Sequence, residues 1–260
     1  MYPEECQFCI FIPTYNEITN IEEIYKRIRD KYPSVQVLFI DDGSPDGTGA
    51  KLDEISRRDS QITVVHREGK KGIGSAHKEA IKWAYKKNVS LLLTMDSDLT
   101  HKPEDISNFI AANEKYDIVV GSRFYSNYGI AEWPLNRRII TKTGHLLTRY
   151  LLNTDVDATG AFRLYNLKKI KPEIFMCIES NDYAFFYESL KILQIAGYII
   201  GEVPVTLAAR FRGHSKMKSR DMVRGFTYLV SFAVKVRRSR SKVNLNIAEA
   251  LGRTLNVDAN

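Results

Sequence analysis

Through its first half the chain alternates short apolar runs rich in β-branched residues with stretches of helical spacing, and this alternation restricts the fold more than any other feature. The runs Cys6–Ile12, Val35–Ile40, Ile62–His66, Val89–Met95 and Asp117–Gly121 read as strands. Several are nearly all apolar, as strands buried on both faces of a parallel sheet are. Between them, Ile18–Lys31, Thr48–Arg58, Ile73–Lys87 and Pro103–Lys115 have the spacing and length of helices. Thr19 is placed to cap the first of these, with Glu22 three residues later completing a capping box. The rhythm predicts an α/β fold with a mostly parallel central sheet flanked by helices.

Beyond residue 122 the rhythm changes. Ser122–Asn136 is loop-like, a helix is expected over Arg138–Leu152, and a mixed region runs to Arg210. Asp221–Val236 is an amphipathic helix candidate, with Met222, Phe226, Leu229, Ala233 and Val236 on one stripe, followed by Arg237, Arg238, Arg240 and Lys242. The expected organisation is one α/β domain over residues 1–220, then an amphipathic helix and basic tail over 221–260. There is no internal repeat and no low-complexity segment. No run reaches the roughly 18–20 apolar residues that span a bilayer. The first residues include Glu4, Glu5 and Gln7 without a basic start or cleavable apolar run, so no leader is expected. Three cysteines, Cys6, Cys9 and Cys177, are too few for a disulfide scaffold, and the lone Cys6-x-x-Cys9 has no second pair to complete a zinc site. A soluble protein of a reducing compartment is expected.

Ligands of parallel α/β sheets bind at the carboxyl ends of the strands. Pro13-Thr14-Tyr15-Asn16-Glu17 follows the first predicted strand, Asp41-Asp42-Gly43-Ser44-Pro45-Asp46-Gly47-Thr48 the second, Asp96-Ser97-Asp98 the fourth and Gly121-Ser122-Arg123 the fifth. Polar and acidic residues should therefore converge on one sheet edge. Two nucleotide motifs fail. Gly69-x-x-Gly72-x-Gly74 reverses the dinucleotide spacing, and Gly43-x-x-x-Gly47-Thr48 is one residue short of a phosphate-binding loop and lacks its lysine. Asp96-x-Asp98 is more informative, because two carboxylates at the end of a buried strand repel each other unless a cation neutralises them. Mg2+ and Mn2+ suit such oxygen ligands, completed by phosphate oxygens.

These motifs, joined by Leu99-Thr100-His101, Trp133-x-x-x-Arg137, Asp157-Ala158-Thr159-Gly160-Ala161-Phe162-Arg163, Gly201-Glu202-Val203-Pro204 and Arg210-x-x-Gly213-x-Ser215-Lys216, resemble glycosyltransferase family 2, and most closely its polyprenyl-phosphate mannose synthases. The resemblance covers about residues 8–235. It implies a GT-A fold and inverting, metal-dependent transfer of mannose from GDP-mannose to dolichyl or another polyprenyl phosphate. Carried over by position, Pro13, Tyr15, Glu17, Ile40 and Asp42 would hold the nucleoside. Asp96 and Asp98 would bind Mg2+ or Mn2+ across the diphosphate, with Ser97 alongside. Arg123, Arg210 and Lys216 would meet the donor phosphates, and Arg137 with Thr141, joined by Arg123, would take the acceptor phosphate. Thr100 stands where relatives carry Gln or Ser, and Phe186 where they carry Gln. The resemblance also implies a place at the cytosolic face of a membrane, the endoplasmic reticulum in a eukaryote, and dependence on small membrane subunits.

The residues agree with that chemistry. A phosphate monoester has a second pKa of about 6, so such an acceptor is a dianion at neutral pH and needs no strong base. What it needs is charge screening and alignment. The net charge of +7 favours anionic partners, but no nucleic-acid recognition motif accompanies it. Of the five histidines, His66, His77, His101, His145 and His214, all read as surface or supporting residues, and His101 alone adjoins the acidic turn. Trp133 reads equally as loop packing or as a lipid contact, and Lys70-Lys71 flanks the donor edge. The Arg237–Lys242 run after an amphipathic helix suggests a membrane surface patch. Two alternatives stay open: a relative using UDP-glucose or another donor and acceptor, and a nucleotide-sugar-binding subunit without turnover.

Overall fold

Apolar residues alternate along the strands so that each strand feeds two cores. In the computed structural model, which describes residues 7–125, 129–130, 133–207, 219–238 and 246–252, Cys9 and Phe11 point into one core and Phe8, Ile10 and Ile12 into the other. Leu38 and Ile40 of the next strand oppose Val37 and Phe39 in the same way.

Seven strands form one sheet: β1 (Phe8–Thr14), β2 (Gln36–Asp41), β3 (Ile62–His66), β4 (Leu91–Thr94), β5 (Ile118–Ser122), β6 (Arg163–Asn166) and β7 (Ile200–Pro204). Their order is β3-β2-β1-β4-β6-β5-β7, and β6 alone runs antiparallel to its neighbours. Helices α1 (Ile18–Lys31), α2 (Thr48–Arg58) and α4 (Ile106–Ala112, after a 3-10 turn over Pro103–Asp105) cover one face. Helices α3 (Ile73–Lys86), α5 (Leu135–Leu152), α6 (Glu173–Met176), α7 (Phe185–Ile195) and α8 (Ser219–Arg238) cover the other. Because β6 is reversed, its start lies at the edge where the other strands end. The loop over 157–162 therefore joins the βα loops there.

The expected capping box does not form. Thr19 is an exposed residue inside α1, and Glu22 pairs instead with Lys51 at 3.0 Å and Arg58 at 2.7 Å on α2. The helix start is held from the next loop: the Ile18 N–H donates to Asp46 Oδ2 at 3.2 Å and the Glu17 N–H to Thr48 Oγ1 at 2.9 Å. Cys9 is fully buried, which pushes its thiol up to about 12 and makes it inert; Cys6 lies outside the described residues. His77 is neither on the surface nor supporting the site. It is packed between Phe11, Phe185 and Phe186, and burial, then the charge of Arg163, push it down to about 3.

The stripe expected on the last helix is mostly a packing face. Leu229 and Ala233 are buried against the core and Val236 packs beside them, whereas Phe226 is half exposed. The outward ridge of α8 is a different one, Val223, Phe226, Val230 and Val234. Among the described residues no helix is long and apolar enough to cross a membrane.

Candidate active site

Residues of six loops meet at the carboxyl edge of the sheet. After β1, the chain turns through Asn16 at a φ of 56°. The Asn16 N–H donates to Ser44 Oγ at 2.9 Å, so the β1 and β2 loops are stapled together with Tyr15 and Glu17 on their rim. The two acidic residues at the end of β2, Asp41 and Asp42, part company. Asp41 turns into its own loop and accepts the Ser44 hydroxyl at 2.5 Å and N–H at 3.1 Å. Asp42 is held by Arg67, whose Nε donates to Oδ1 at 2.5 Å. Gly43 makes this turn feasible: its φ is +67°, and a Cβ there would press on the Arg67 carbonyl oxygen and the Gly69 backbone. Ile40, expected against the nucleoside, is fully buried in the β2 core and offers no surface to the cleft.

After β4, Asp96 is partly exposed while Ser97 and Asp98 are buried. The Thr100 hydroxyl and N–H donate to Asp98 Oδ1 at 2.6 and 3.1 Å. Leu99 takes a φ of 63° to close this turn, a conformation that costs a branched side chain strain. The Asp96 N–H donates to His101 Nδ1 at 2.8 Å, and the His101 ring is buried and stacked on Phe162 with centroids 4.7 Å apart. The histidine flagged beside the acidic turn is therefore part of the turn's scaffold. Thr100, in place of Gln or Ser, has its hydroxyl directed at Asp98.

The donor set suits Mg2+ or Mn2+: two neighbouring carboxylates, with the His101 Nδ1 already used by the backbone. Among the described residues no group of three or more His, Cys, Asp or Glu side chains forms a metal cage. A hard cation shared with a diphosphate needs only one or two carboxylates from the protein.

Arg123 follows β5 and is almost buried. Its Nε and Nη2 donate to Asp157 Oδ2 and Oδ1, both at 2.7 Å, and Nη2 also reaches Thr159 Oγ1 at 2.5 Å. That leaves Nη1 as the part of the fork engaged by neither residue. Asp157 has no exposed area, and its own N–H donates to Glu202 Oε1 at 2.5 Å. Burial opposes charge on both partners, but each outweighs it for the other: Asp157 is held below the usual carboxylate range and Arg123 above its own. Asp96 is close enough to reinforce the charge on Arg123. The sequence reading named the Asp157 motif without a role for it, and it missed Arg67 altogether. Nothing in a linear sequence marks which carboxylate a buried arginine will meet.

Arg137 and Thr141 lie one turn apart on α5, both half-buried. The Arg137 guanidinium stacks over the Trp133 ring at 3.5 Å from its centroid, and Trp133 is itself buried, which resolves that residue as a packing platform. One turn further, His145 stacks on Phe124, with centroids 4.0 Å apart. Arg210 and Lys216 lie outside the described residues. A cavity of about 500 Å3 between the 180–184 turn and α8 shares no lining residue with the acidic turn.

A family model described as glycosyl transferase family 2 matches residues 9–172. The polyprenol monophosphomannose synthase of Mycolicibacterium smegmatis is 31% identical over 236 residues, covering 90% of this chain and 89% of its own. The undecaprenyl-phosphate mannosyltransferase of Micrococcus luteus is 35% identical over 207 residues, 79% of this chain and 85% of its own. Among solved structures, a mannosyltransferase from Pyrobaculum calidifontis in complex with GDP-Man and Mn2+ shares the fold with a TM-score of 0.53 at 16% identity, over 95% of this chain and 74% of that one.

Proposed function

The chain belongs to glycosyl transferase family 2, with a GT-A fold, and from that footing we propose that this glycosyltransferase moves mannose from GDP-mannose to a polyprenyl phosphate at a membrane surface. The likeness to two mannose-transferring enzymes with polyprenyl acceptors over most of the chain supports the choice of substrates. The observation that carries the acceptor assignment is the construction of α5. Arg137 and Thr141 recur on its half-buried side, while Leu135, Ile139, Leu146 and Tyr150 recur on the other and are 56–78% exposed. One helix thus offers a cation and a hydroxyl inward and an apolar ridge outward.

In this reading Asp96 and Asp98 hold Mg2+ or Mn2+, which when bound supplies charge neutralisation for the departing diphosphate. The rest is the work of side chains. Tyr15, Glu17 and Asp42 frame the nucleoside. Arg123, held by Asp157 and close enough to Asp96 to feel its charge, meets the phosphates. Arg137 and Thr141 seat the acceptor phosphate. The acceptor is its own nucleophile, so the site screens two anions from each other and aligns them. Transfer of labelled mannose from GDP-mannose to a polyprenyl phosphate, with Mn2+ and without, tests the reading. Arg137→Ala should lower kcat/KM for the acceptor by roughly 100-fold, the size of a lost charge-assisted contact, with GDP affinity nearly unchanged. Equal loss of donor affinity would remove Arg137 from the acceptor site.

The membrane part rests on the ridges of α5 and α8. The two helices lie side by side, with Arg237 Nη2 donating to the Tyr150 carbonyl at 3.4 Å. Their outward residues are Leu135, Ile139, Leu146 and Tyr150 on one and Val223, Phe226, Val230 and Val234 on the other, flanked by exposed Lys142, Arg149, Arg237 and Arg238. Each cation near an anionic surface contributes on the order of 1 kcal/mol, screened by salt. Wild type should float with anionic vesicles less well as salt rises. Glu at both Ile139 and Leu146 should cut the floated fraction about tenfold. Unchanged flotation of that variant would leave small membrane subunits as the route to the lipid.

A further inference from the structure

Four histidines lie among the described residues, and three of them are committed. The His66 ring pairs with Asp53 at 2.9 Å, His77 is packed between aromatic rings, and His101 Nδ1 accepts the Asp96 N–H. His145 is different. It stands on α5 four residues after Thr141 and eight after Arg137, so the three form one row on the half-buried side of the helix, with a rise of about 6 Å from each to the next. Its ring lies against Phe124 with the two planes 18° apart, and its Nδ1 is buried with no hydrogen-bond partner among the described residues. The stack fixes the ring without using its proton chemistry, and Nε2 is the nitrogen left for a ligand. The Phe124 ring also has the guanidinium carbon of Arg123 5.6 Å from its centre, which ties the row to the arginine after β5.

The charges around His145 come from three elements. Arg123 follows β5, Asp157 lies in the loop before β6 with Glu202 of β7 bonded behind it, and Arg149 is one turn further along α5. Burial, joined by the two arginines and opposed by Asp157, holds the imidazole below its ordinary 6.5. At neutral pH it is therefore uncharged and able to accept a proton.

We infer that His145 is a catalytic residue of acceptor activation, taking the proton from a prenyl phosphate that arrives as the monoanion. This deepens the acceptor reading above and rests on it. A phosphate monoester loses its second proton near pH 6. An anionic lipid surface at about −30 mV concentrates protons roughly threefold, so a sizeable share of the acceptor there is monoanionic. In the step, the O–H bond of the phosphate breaks and its proton passes to the imidazole, leaving a dianion for Arg137 and Thr141 to hold. A phosphate oxygen then bonds to the anomeric carbon of the sugar. The bond from that carbon to the diphosphate breaks, and its electron pair leaves with the diphosphate. The imidazolium gives its proton to water once product departs. Asp157 favours the imidazolium, while Arg123 and Arg149 oppose it, so the proton is taken readily and returned readily.

The acid limb of the pH profile tests this. In anionic vesicles, kcat/KM for a short prenyl phosphate reports the ionisations of free enzyme and free acceptor. Between about pH 8 and about pH 5.5, His145→Asn should lose roughly tenfold, following the acceptor's dianion. Wild type should lose no more than about threefold over the same range, because the monoanion stays productive. Effects of pH on metal or donor binding are common to both and cancel in the ratio. His145→Gln, with its better helix propensity, carries the test should the Asn variant not fold. Acid limbs of the same shape overturn the inference, whatever the offset between them, since a ring that only packs against Phe124 would lower activity equally at every pH. Wild type that transfers mannose to no prenyl phosphate overturns the acceptor reading with it.

Discussion

Replacing Asp98 by Asn should lower sugar transfer by at least about 10³-fold, equivalent to roughly 4 kcal/mol of transition-state stabilisation, and leave the fold standing. The side chain is buried, and its Oδ1 accepts both the hydroxyl and the N–H of Thr100. Asparagine keeps a carbonyl oxygen for those two donors, so the turn survives. What goes is half of the charge that Asp96 and Asp98 present together. The Mn2+ dependence of GDP binding, measured by thermal shift, should weaken in step, while the melting temperature without ligand moves by no more than about 2 °C. Turnover within tenfold of wild type, with the same Mn2+ requirement, would take Asp98 out of the site.

The second large effect falls on Asp157. Its removal leaves Arg123 enclosed without a counter-charge, a situation that costs about 3–5 kcal/mol and should lower the melting temperature by roughly 10 °C. Transfer should be lost as well, because the Arg123 guanidinium is oriented by Asp157 through Nε and Nη2. The double variant Asp157→Ala, Arg123→Leu separates the two roles. It should recover most of the stability, because neither charge is then stranded, and none of the activity. A double variant as unstable as the single one would show that the pair is not energetically coupled. The pH dependence has a definite sign. Asp157 is held below its ordinary 3.8 by the charge and hydrogen bonds of Arg123 overcoming burial, so its stabilising contribution is full above that value. It is lost as pH falls through the lower value of the folded protein.

The parts of the molecule that could be read from the chain are those whose cause is local. β1 to β5 are apolar runs bounded by turn residues, and the observed strands match the expected ones to within two residues at each end. β6 and β7 escaped because their composition answers to partners far away. Arg163 places a charge in β6, yet it is fully buried, donating to the carbonyls of Gly160 and Ala158 and to Ser189 Oγ. Glu202 does the same to β7, where its carboxylate receives the Asp157 N–H. In the site, the acidic turn stood out because two carboxylates so close need a reason. Asp41 and Asp42 looked alike in sequence and differ completely in surroundings, one serving its loop and the other facing Arg67. The apolar stripe of α8 was visible as a stripe, but periodicity does not say which of two apolar faces meets the core, and here the helix has both.

The two-sided build of α5 has a consequence for what such an enzyme can measure. With the helix lying at the headgroups as proposed, its inward cation stands about one helix diameter, roughly 10 Å, above the hydrocarbon boundary. The helix then acts as a depth gauge: it sets how far the acceptor's phosphate must rise, and only the first isoprene units bridge that gap. The remainder of the chain stays dissolved among acyl tails, out of reach of every described side chain. Selection would operate on the phosphate and its nearest carbons, and turnover should be indifferent to whether the tail carries a few isoprene units or many.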